Sequence, residues 1–265
     1  MNRTSNPFGR AEFTSTPKVE SHPGSHRDYS RAGLIPYQLL RQQTGLPVHW
    51  RNGRLVRPRD DKGRRSALFV KRGIDIAGAL IGLLLLSPLF LAIALQIKLA
   101  DKGPIFFRQK RIGQNGRLFE LLKFRSMHAD RCDAAGLAQV TANDNRITRI
   151  GAFIRRTSID ELPQLLNVLR GDMALVGPRP HVSGMLAAGT DYQSLVPNYA
   201  FRHEMRPGLT GWAQCNGLRG PTTDRVMAMN RIGHDFAYVQ NFSLWLDLRI
   251  IGRTIAGELL RAAAL

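Results

Sequence analysis

One long uncharged segment dominates the hydrophobic pattern of the chain, from Ile76 to Leu95. Its length is close to the roughly 20 residues that a helix needs to cross the core of a bilayer. Pro88 lies inside this segment, and a proline removes one backbone hydrogen bond and crowds the preceding turn of a helix. The pattern therefore predicts a membrane helix that bends or breaks at Ser87-Pro88.

Basic residues lie on both sides of this segment and constrain its orientation in a membrane. Those before it are Arg64, Arg65, Lys71 and Arg72, and those after it are Lys98, Lys102, Arg108, Lys110 and Arg111. Basic flanks favour the cytoplasmic face, so we predict a re-entrant helix over residues 66–102. A straight transmembrane helix kinked at the proline is the alternative. A buried core helix fits less well because the segment is apolar on all faces.

Beyond residue 103 the pattern changes to short strands and amphipathic helices. The segments GPIFFRQKRI and RLFELLKFRSM flank a Gly-Gln-Asn-Gly turn and predict a β-hairpin. Leucines between positions 162 and 169 recur at helical spacing, which predicts a short helix from Glu161 to Arg170. The last segment, from Ser243, is a basic helix that is compatible with a membrane interface or with packing on the domain.

The first 65 residues are basic and rich in proline, and they contain no long apolar period. We therefore predict a flexible basic tail over residues 1–65. No apolar segment near Met1 resembles a secretory signal. The predicted organisation is this tail, the membrane helix over residues 66–102, and a cytosolic domain over residues 103–265.

The charge balance indicates an anionic partner. Lys and Arg number 38 against 20 Asp and Glu, which gives a formal net charge of +18. Nucleic acid, acidic lipid and phosphorylated substrates all fit that sign. Nucleic acid is not the expected partner, because aromatic residues make up only 8% of the chain and no recognisable binding module is present. The two cysteines, Cys132 and Cys215, have no neighbours at metal-ligand spacing.

An adjacent acid pair, Asp160 and Glu161, is the main candidate for chemistry. One interpretation is structural, because Asp160 could cap a helix whose first turn contains Glu161 and Pro163. In that case the chain could be a non-catalytic scaffold. The other interpretation rests on the arginines and lysine around the pair, which predict a bound phosphate. Two carboxylates beside a phosphate indicate either a divalent cation or a carboxylate that attacks phosphorus.

Several motifs together resemble the bacterial sugar transferases, which are polyprenyl-phosphate hexose-1-phosphate transferases that begin exopolysaccharide and glycan assembly. They are KRGIDI, SPLF, IKLADKGPIFFRQKRIG, KFRSM, RITRIGAFIRRTSIDELPQLLNVLRGDMALVGPRP and RPGLTGWAQ. The chain is most similar to the compact, monotopic exopolysaccharide-initiating members, because the extra transmembrane helices of larger relatives are missing ahead of these motifs. The polar tail departs from the shortest members.

The resemblance implies a mixed α/β, mainly helical fold, with a cytosolic catalytic domain that contains the β-hairpin and amphipathic interface helices. It implies transfer of hexose 1-phosphate from a UDP-sugar to undecaprenyl phosphate, with release of UMP. Mg²⁺ would be the cofactor, and glucose or galactose the favoured hexose. The enzyme would act at the cytoplasmic face of the bacterial inner membrane, in contact with membrane lipid. Whether it forms a homo-oligomer stays open.

By the same resemblance, Asp160 would attack the sugar-bearing phosphorus and form a phosphosugar-aspartyl intermediate. Glu161 would hold the metal. The residues expected to bind the phosphates of the two substrates are Lys123, Arg125, Arg156, Arg179 and Arg206. Asp172 and Asp235 are expected to be structural.

Overall fold

The uncharged segment lies within one helix of 39 residues, α1 (Lys62–Ala100), in a computed structural model of the chain. The structure describes residues 44–51, 54–58, 61–131, 144–220, 222 and 224–263. The other helices are α2 (Arg149–Arg156), α3 (Gln164–Arg170), α4 (Tyr192–Leu195), α5 (Trp212–Cys215), α6 (Arg225–Asn241) and α7 (Leu244–Ala263). The strands are β1 (Trp50–Arg51), β2 (Arg54–Leu55), β3 (Phe106–Ile112), β4 (Leu118–Phe124), β5 (Ala174–Val176), β6 (Leu186–Ala187), β7 (Thr190–Asp191) and β8 (Gly208–Thr210). The predicted mixed α/β, mainly helical class is confirmed.

Helix α1 continues through its proline, so the predicted break at Ser87-Pro88 is not present. Pro88 has no N–H to donate to the carbonyl of Leu84. The Ser87 hydroxyl donates to that carbonyl instead, over 2.8 Å. This side-chain bond replaces the missing backbone bond and explains how the helix passes the proline. The re-entrant course of α1 stays a prediction.

Two faces of α1 have different surroundings. Ala79, Ile93 and Ile97 are buried against the rest of the domain. On the outward face, Leu84 is 75% exposed and Leu91 is 73% exposed. Among the described residues, α1 is the one helix long and apolar enough to cross a membrane. Its outward face is therefore an apolar surface that no part of the described chain covers.

Polar residues at the start of α1 attach it to three other elements. Lys71 Nζ lies 2.7 Å from a carboxylate oxygen of Asp247 in α7. The guanidinium of Arg72 donates to two carbonyl oxygens at the end of α3, at 2.7 and 3.0 Å. The carboxylate of Asp75 accepts a 2.9 Å bond from the backbone N–H of Leu175 in β5. The KRGIDI motif therefore fixes α1 to the domain through specific polar bonds.

The predicted hairpin is confirmed as β3 and β4, which pair antiparallel from Phe106 opposite Phe124 to Ile112 opposite Leu118. Asn115 in the connecting turn has a φ of 54°, a conformation that asparagine tolerates well. A second pair, β5 and β8, is parallel, with Ala174 opposite Gly208. These two strand pairs carry the segments that surround the acid pair.

Part of the predicted tail packs on the domain. Strands β1 and β2 form a small antiparallel pair, and Trp50 contacts Phe236 edge to face. The side chain of Gln240 bonds the backbone of His49 and Val56, with a 2.7 Å bond from His49 N–H. These contacts differ from the flexible tail predicted over that range. Residues 1–43, 52–53 and 59–60 of the predicted tail lie outside the described residues.

The largest hydrophobic core surrounds α6, whose Ile232, Phe236 and Ala237 are completely buried. Helix α7 packs on this core through Leu246 and Ile250. Another face of α7 is largely exposed, and it includes Leu248, Ile255 and Leu259. The helix therefore packs on the domain with one face and leaves another apolar face uncovered.

Candidate active site

The acid pair lies in a short 3₁₀ turn, Ile159–Glu161, between α2 and α3. Ser158, which precedes the turn, has a φ of 57° and redirects the chain after α2. The predicted helix begins later than expected, at Gln164 rather than Glu161. The reason is that the first bonds are of the 3₁₀ type, as in the 3.0 Å bond from Leu165 N–H to the carbonyl of Leu162.

Asp160 is only 7% exposed. Among the described residues, no donor forms a hydrogen bond with its carboxylate, and the Nζ of Lys123 is 3.9 Å from Oδ2. Neither the 3₁₀ turn nor α3 has a side-chain cap. The structural interpretation of Asp160 as a helix cap is therefore wrong. Lys123 forms a long ion pair with Oδ2, and neither carboxylate oxygen accepts a hydrogen bond from a described residue.

Glu161, in contrast, is fully engaged. Lys123 Nζ lies 2.8 Å from its Oε1. The guanidinium of Arg179 donates to both carboxylate oxygens, with one bond of 3.0 Å to Oε2. This two-pronged pairing is the geometry in which arginine binds carboxylates most strongly. Glu161 thus holds a lysine and an arginine at fixed positions beside Asp160.

The two acids have opposite electrostatic environments. Burial raises the pKa of Asp160, and the neighbouring charge of Glu161 raises it further, while Lys123, Arg155 and Arg179 act against this. Burial also acts to raise the pKa of Glu161, but Arg179 and Lys123 outweigh it and hold that pKa well below the usual value. Glu161 is therefore the more firmly ionised member of the pair.

Arg179 is held in place from behind by a buried ion pair. Its backbone carbonyl accepts a 2.6 Å bond from Arg202. The guanidinium of Arg202 is itself completely buried and lies 2.7 Å from a carboxylate oxygen of Asp235 in α6. Asp235 was expected to be structural, and its structural role is to pair with the buried Arg202. It supports the loop that carries Arg179.

The structure brings together four of the predicted site residues, which are Lys123, Asp160, Glu161 and Arg179. The other three have no hydrogen bond or ion pair with the acids in the described part of the chain. Arg125 is buried and pairs with Asp101 at the end of α1, at 2.7 Å. Arg206 donates to the carbonyl of Gly171 at 3.0 Å, and Arg156 is exposed at the end of α2.

Two basic residues near the acids were missed in the sequence. The charge of Arg155, not that of its neighbour Arg156, acts on Asp160. Arg111 lies close to Arg179 and Glu161, and burial followed by the charge of Arg179 lowers its pKa to about 10. The hairpin register could have identified Arg111, because its partner Phe119 shares a strand face with Lys123.

The number of acids, two, suits a magnesium site, but the cationic partners of Glu161 occupy its oxygens. Mg²⁺ is usually held by one or two protein carboxylates together with substrate phosphates. The oxygens of Asp160 accept no hydrogen bond from a described residue, whereas both oxygens of Glu161 already carry cationic partners. No cluster of three or more His, Cys, Asp or Glu side chains exists among the described residues. A metal at Glu161 would require Lys123 or Arg179 to move.

Comparison with known proteins identifies the family. The model of the bacterial sugar transferase family matches residues 66–261. An exopolysaccharide production protein PSS from Rhizobium leguminosarum bv. phaseoli is 54% identical over 194 residues, which are 73% of this chain and 97% of that protein. The residues matched by the family model include most of α1, the hairpin and the acid pair.

Two larger relatives also match this chain. A UDP-glucose:undecaprenyl-phosphate glucose-1-phosphate transferase from Xanthomonas campestris pv. campestris is 50% identical, over 65% of this chain and 35% of that protein. A UDP-N-acetylgalactosamine-undecaprenyl-phosphate N-acetylgalactosaminephosphotransferase from Aeromonas hydrophila is 45% identical, over 71% of this chain and 43% of that protein. The chain thus spans less than half the length of these two relatives. Because the family model matches most of its length, the chain belongs to the bacterial sugar transferase family.

Proposed function

We propose that this protein transfers a hexose 1-phosphate from a UDP-sugar to undecaprenyl phosphate, releases UMP, and so initiates exopolysaccharide assembly. The names of the Xanthomonas and Aeromonas relatives describe transfer of a sugar phosphate to the same lipid acceptor. The Rhizobium relative, which the chain covers almost completely, is named for exopolysaccharide production. The chemistry is assigned to the acid pair.

The observation that carries the proposal is the contrast between two carboxylates: Asp160 accepts no hydrogen bond from a described residue, whereas Glu161 is fully paired. A nucleophile must be accessible to phosphorus and must not be neutralised by a permanent partner. Asp160 meets the second condition, since Lys123 Nζ lies 3.9 Å from its Oδ2, beyond hydrogen-bond distance. Glu161 cannot fill this role, because Lys123 and Arg179 occupy both of its oxygens.

The reaction has two steps at the same phosphorus atom. In the first, an oxygen of Asp160 bonds to the sugar-bearing phosphorus of the UDP-sugar, and the bond between the two phosphates breaks to release UMP. In the second, an oxygen of undecaprenyl phosphate bonds to that phosphorus and the bond to Asp160 breaks. Both the leaving group and the second nucleophile are phosphate oxygens, so neither step needs a proton transfer. This explains why no general base is required beside Asp160.

The cationic residues stabilise charge during these steps. Lys123 and Arg179 lie beside the nucleophile and match the charge of a transferring phosphoryl group. Glu161 holds them in position before substrate binds. Arg111 and Arg155 add positive charge around the same centre.

Mg²⁺ is part of the proposal as a cofactor. When bound, the ion would neutralise charge on the diphosphate of the UDP-sugar. Glu161 is the residue that would hold it, after Lys123 or Arg179 moves away from one of its oxygens. We expect EDTA to stop sugar phosphate transfer and added Mg²⁺ to restore it.

The proposal places the site at the cytoplasmic face of the inner membrane, with α1 entering the bilayer and returning. Supporting this, the polar start of α1 and its last turns both contact the same domain, through Asp75 and through Ile97. A straight span would separate these two contact regions by the thickness of the bilayer. We propose glucose as the sugar, because the Xanthomonas relative is named for glucose 1-phosphate.

The test of this function is replacement of the nucleophile. Asp160→Asn keeps the size of the side chain but removes its negative charge. We expect it to abolish both transfer from radiolabelled UDP-glucose to undecaprenyl phosphate and the labelled protein adduct formed without acceptor. Full transfer by Asp160→Asn would contradict the proposed mechanism.

The matched control is Glu120→Gln, which changes an acid exposed on β4 to its amide. Glu120 lies 3.8 Å from Arg108 in an exposed pair and does not contact the acid pair. We expect this variant to retain wild-type transfer. A panel of other UDP-sugars, assayed by UMP release, tests the choice of glucose.

A further inference from the structure

A pocket of about 290 Å³ lies between the acid turn and α7. Its apolar walls are formed by Leu162, Leu175, Leu209, Ile251 and Ile255. Most of the surface inside the pocket is apolar. Thr210, Gln214 and Thr254 also line the pocket, but polar atoms form the smaller part of its surface. The pocket is therefore suited to a hydrocarbon ligand.

The inner end of the pocket reaches the turn that carries Asp160. Glu161, which follows Asp160 in the chain, and Ser158, two residues before it, are both part of the pocket lining. Arg219 also lines the pocket and pairs with Glu258 of α7. A ligand in the pocket thus has the acid pair at one end and an arginine nearby. This combination suits a molecule with an apolar body and an anionic head.

The outer end of the pocket meets the uncovered apolar face of α7. Ile255 belongs to both surfaces, since it lines the pocket and is 55% exposed. Leu259 follows one turn later on the same exposed face. The apolar surface is therefore continuous from outside the protein to the acid pair. A long hydrocarbon chain could enter the pocket without leaving apolar surroundings.

On the basis of the proposed function, we propose that this pocket receives the isoprene units next to the phosphate of the polyprenyl phosphate acceptor. The rest of the lipid chain leaves along the exposed face of α7. Arg219 lies where it can attract the acceptor phosphate. Ile255 is then a specificity-determining residue for the second step of the reaction.

The experiment changes the width and polarity of the pocket through Ile255. Ile255→Trp fills the pocket and Ile255→Asp makes its entrance polar, and both changes lie on a half-exposed helical position that can accept them. We expect each variant to raise the apparent KM for undecaprenyl phosphate by about tenfold or more. We expect UMP release from UDP-glucose in the absence of acceptor to stay at the wild-type level.

Leu248→Trp and Leu248→Asp are the matched controls, because Leu248 is exposed on α7 but does not line the pocket. All variants are assayed in the same lipid-detergent micelles. We expect both controls to keep the wild-type KM for the acceptor. An equal rise in KM for the Leu248 variants would mean that α7 acts through general lipid contact, and it would overturn the pocket assignment.

Two other outcomes would also overturn the inference. If Ile255→Trp slows UMP release without acceptor, the pocket belongs to the nucleotide sugar. If neither variant changes the acceptor KM, the pocket does not bind the lipid. The nucleophile is tested by a different measurement. If the wild-type protein forms no labelled adduct, the proposed role of Asp160 is contradicted. The KM for the acceptor still tests the pocket in that case.

Discussion

Asp160 and Glu161 are neighbours in sequence but have different chemical roles. Glu161 is bound by Lys123 and Arg179, whereas the Asp160 carboxylate has no hydrogen-bond donor among the described residues. Their pKa values are moved in opposite directions, and such divergence is typical of acid pairs that divide the work of catalysis. This difference fits the proposed roles, in which Asp160 is the reactive carboxylate and Glu161 the positioning carboxylate.

The raised pKa of Asp160 predicts how activity depends on pH. Attack on phosphorus needs the ionised carboxylate, so activity should fall as pH drops through the raised pKa of Asp160. The acid limb of the kcat/KM profile should therefore lie above the usual aspartate pKa of about 3.9. In Lys123→Met the limb should move to higher pH, because Lys123 lowers this pKa.

Lys110→Met is the control for that measurement, because Lys110 is exposed on β3 and is not among the charges that act on Asp160. Its acid limb should match the wild type. A limb that stays in place in Lys123→Met would contradict the assigned electrostatics. The effects on stability have opposite signs: ionised Asp160 opposes folding at neutral pH, and this penalty disappears as pH falls, whereas the stability from ionised Glu161 is lost at low pH.

The buried pair of Arg202 and Asp235 predicts a large effect on stability. Asp235→Ala would leave the guanidinium of Arg202 buried without its carboxylate partner. Loss of one partner of a buried pair is expected to lower the free energy of unfolding by about 3–5 kcal/mol. Chemical denaturation in detergent measures this. Glu120→Ala, which removes an exposed pair, should change the same quantity by less than about 1 kcal/mol.

The sequence identified the acid pair and two of its cationic partners, but it could not choose between adjacent arginines. Arg155 and Arg156 follow each other on α2, and successive residues of a helix point about 100° apart. Which one approaches Asp160 depends on how α2 packs, and the sequence motif does not contain that information. Arg125 and Arg206 were selected for similar reasons, and the structure gives them other partners.

Among the secondary-structure elements, local chemistry determined which predictions succeeded. The hairpin of β3 and β4 was predictable because its turn contains glycine and asparagine at the required positions. The predicted break in α1 was wrong, because the Ser87 hydroxyl donates to the Leu84 carbonyl, which receives no backbone bond from Pro88. The start of α3 was misplaced because 3₁₀ bonds precede it. The sequence gives only a weak indication of such alternative hydrogen bonds.

The parallel pair of β5 and β8 predicts a strict requirement for glycine. A Cβ added to Gly177, just after β5, would overlap the backbone around the carbonyl oxygen of Arg206. In Gly177→Ala the strands must separate and Arg179 must shift. We expect a loss of about 1–3 kcal/mol in the free energy of unfolding, together with a fall in kcat.

Gly252→Ala is the matched control for this change. Gly252 lies in α7, and a Cβ added there would meet no atom within 4 Å. Because alanine favours a helix over glycine, this variant should be as stable as the wild type or more so. Unchanged stability and kcat in Gly177→Ala would contradict this prediction, because it would show that the backbone around Gly177 and Arg206 can move apart without cost.

The placement of the whole protein in a membrane is testable by labelling. We expect cysteines introduced singly at Ser66 and Lys102 to react from the same side, because both flanks of α1 are predicted to be cytoplasmic. The background has Cys132 and Cys215 replaced by serine. In inverted membrane vesicles a membrane-impermeant maleimide should label both positions, and in spheroplasts it should label neither.

A cysteine at Glu120 reports the side on which the domain itself lies. It should react together with the other two positions. Labelling of Ser66→Cys and Lys102→Cys from opposite sides would establish a straight span and contradict the re-entrant course.

The bond between Asp75 and the backbone of Leu175 has a mechanical consequence. Asp75 belongs to α1, the proposed membrane helix, and Leu175 lies four residues before Arg179, which binds Glu161. We expect a tilt of α1 to move β5 through this hydrogen bond, and with it the loop that carries Arg179. Turnover should therefore vary with bilayer thickness even at saturating substrate, so that the state of the membrane sets the rate at which polymer synthesis begins.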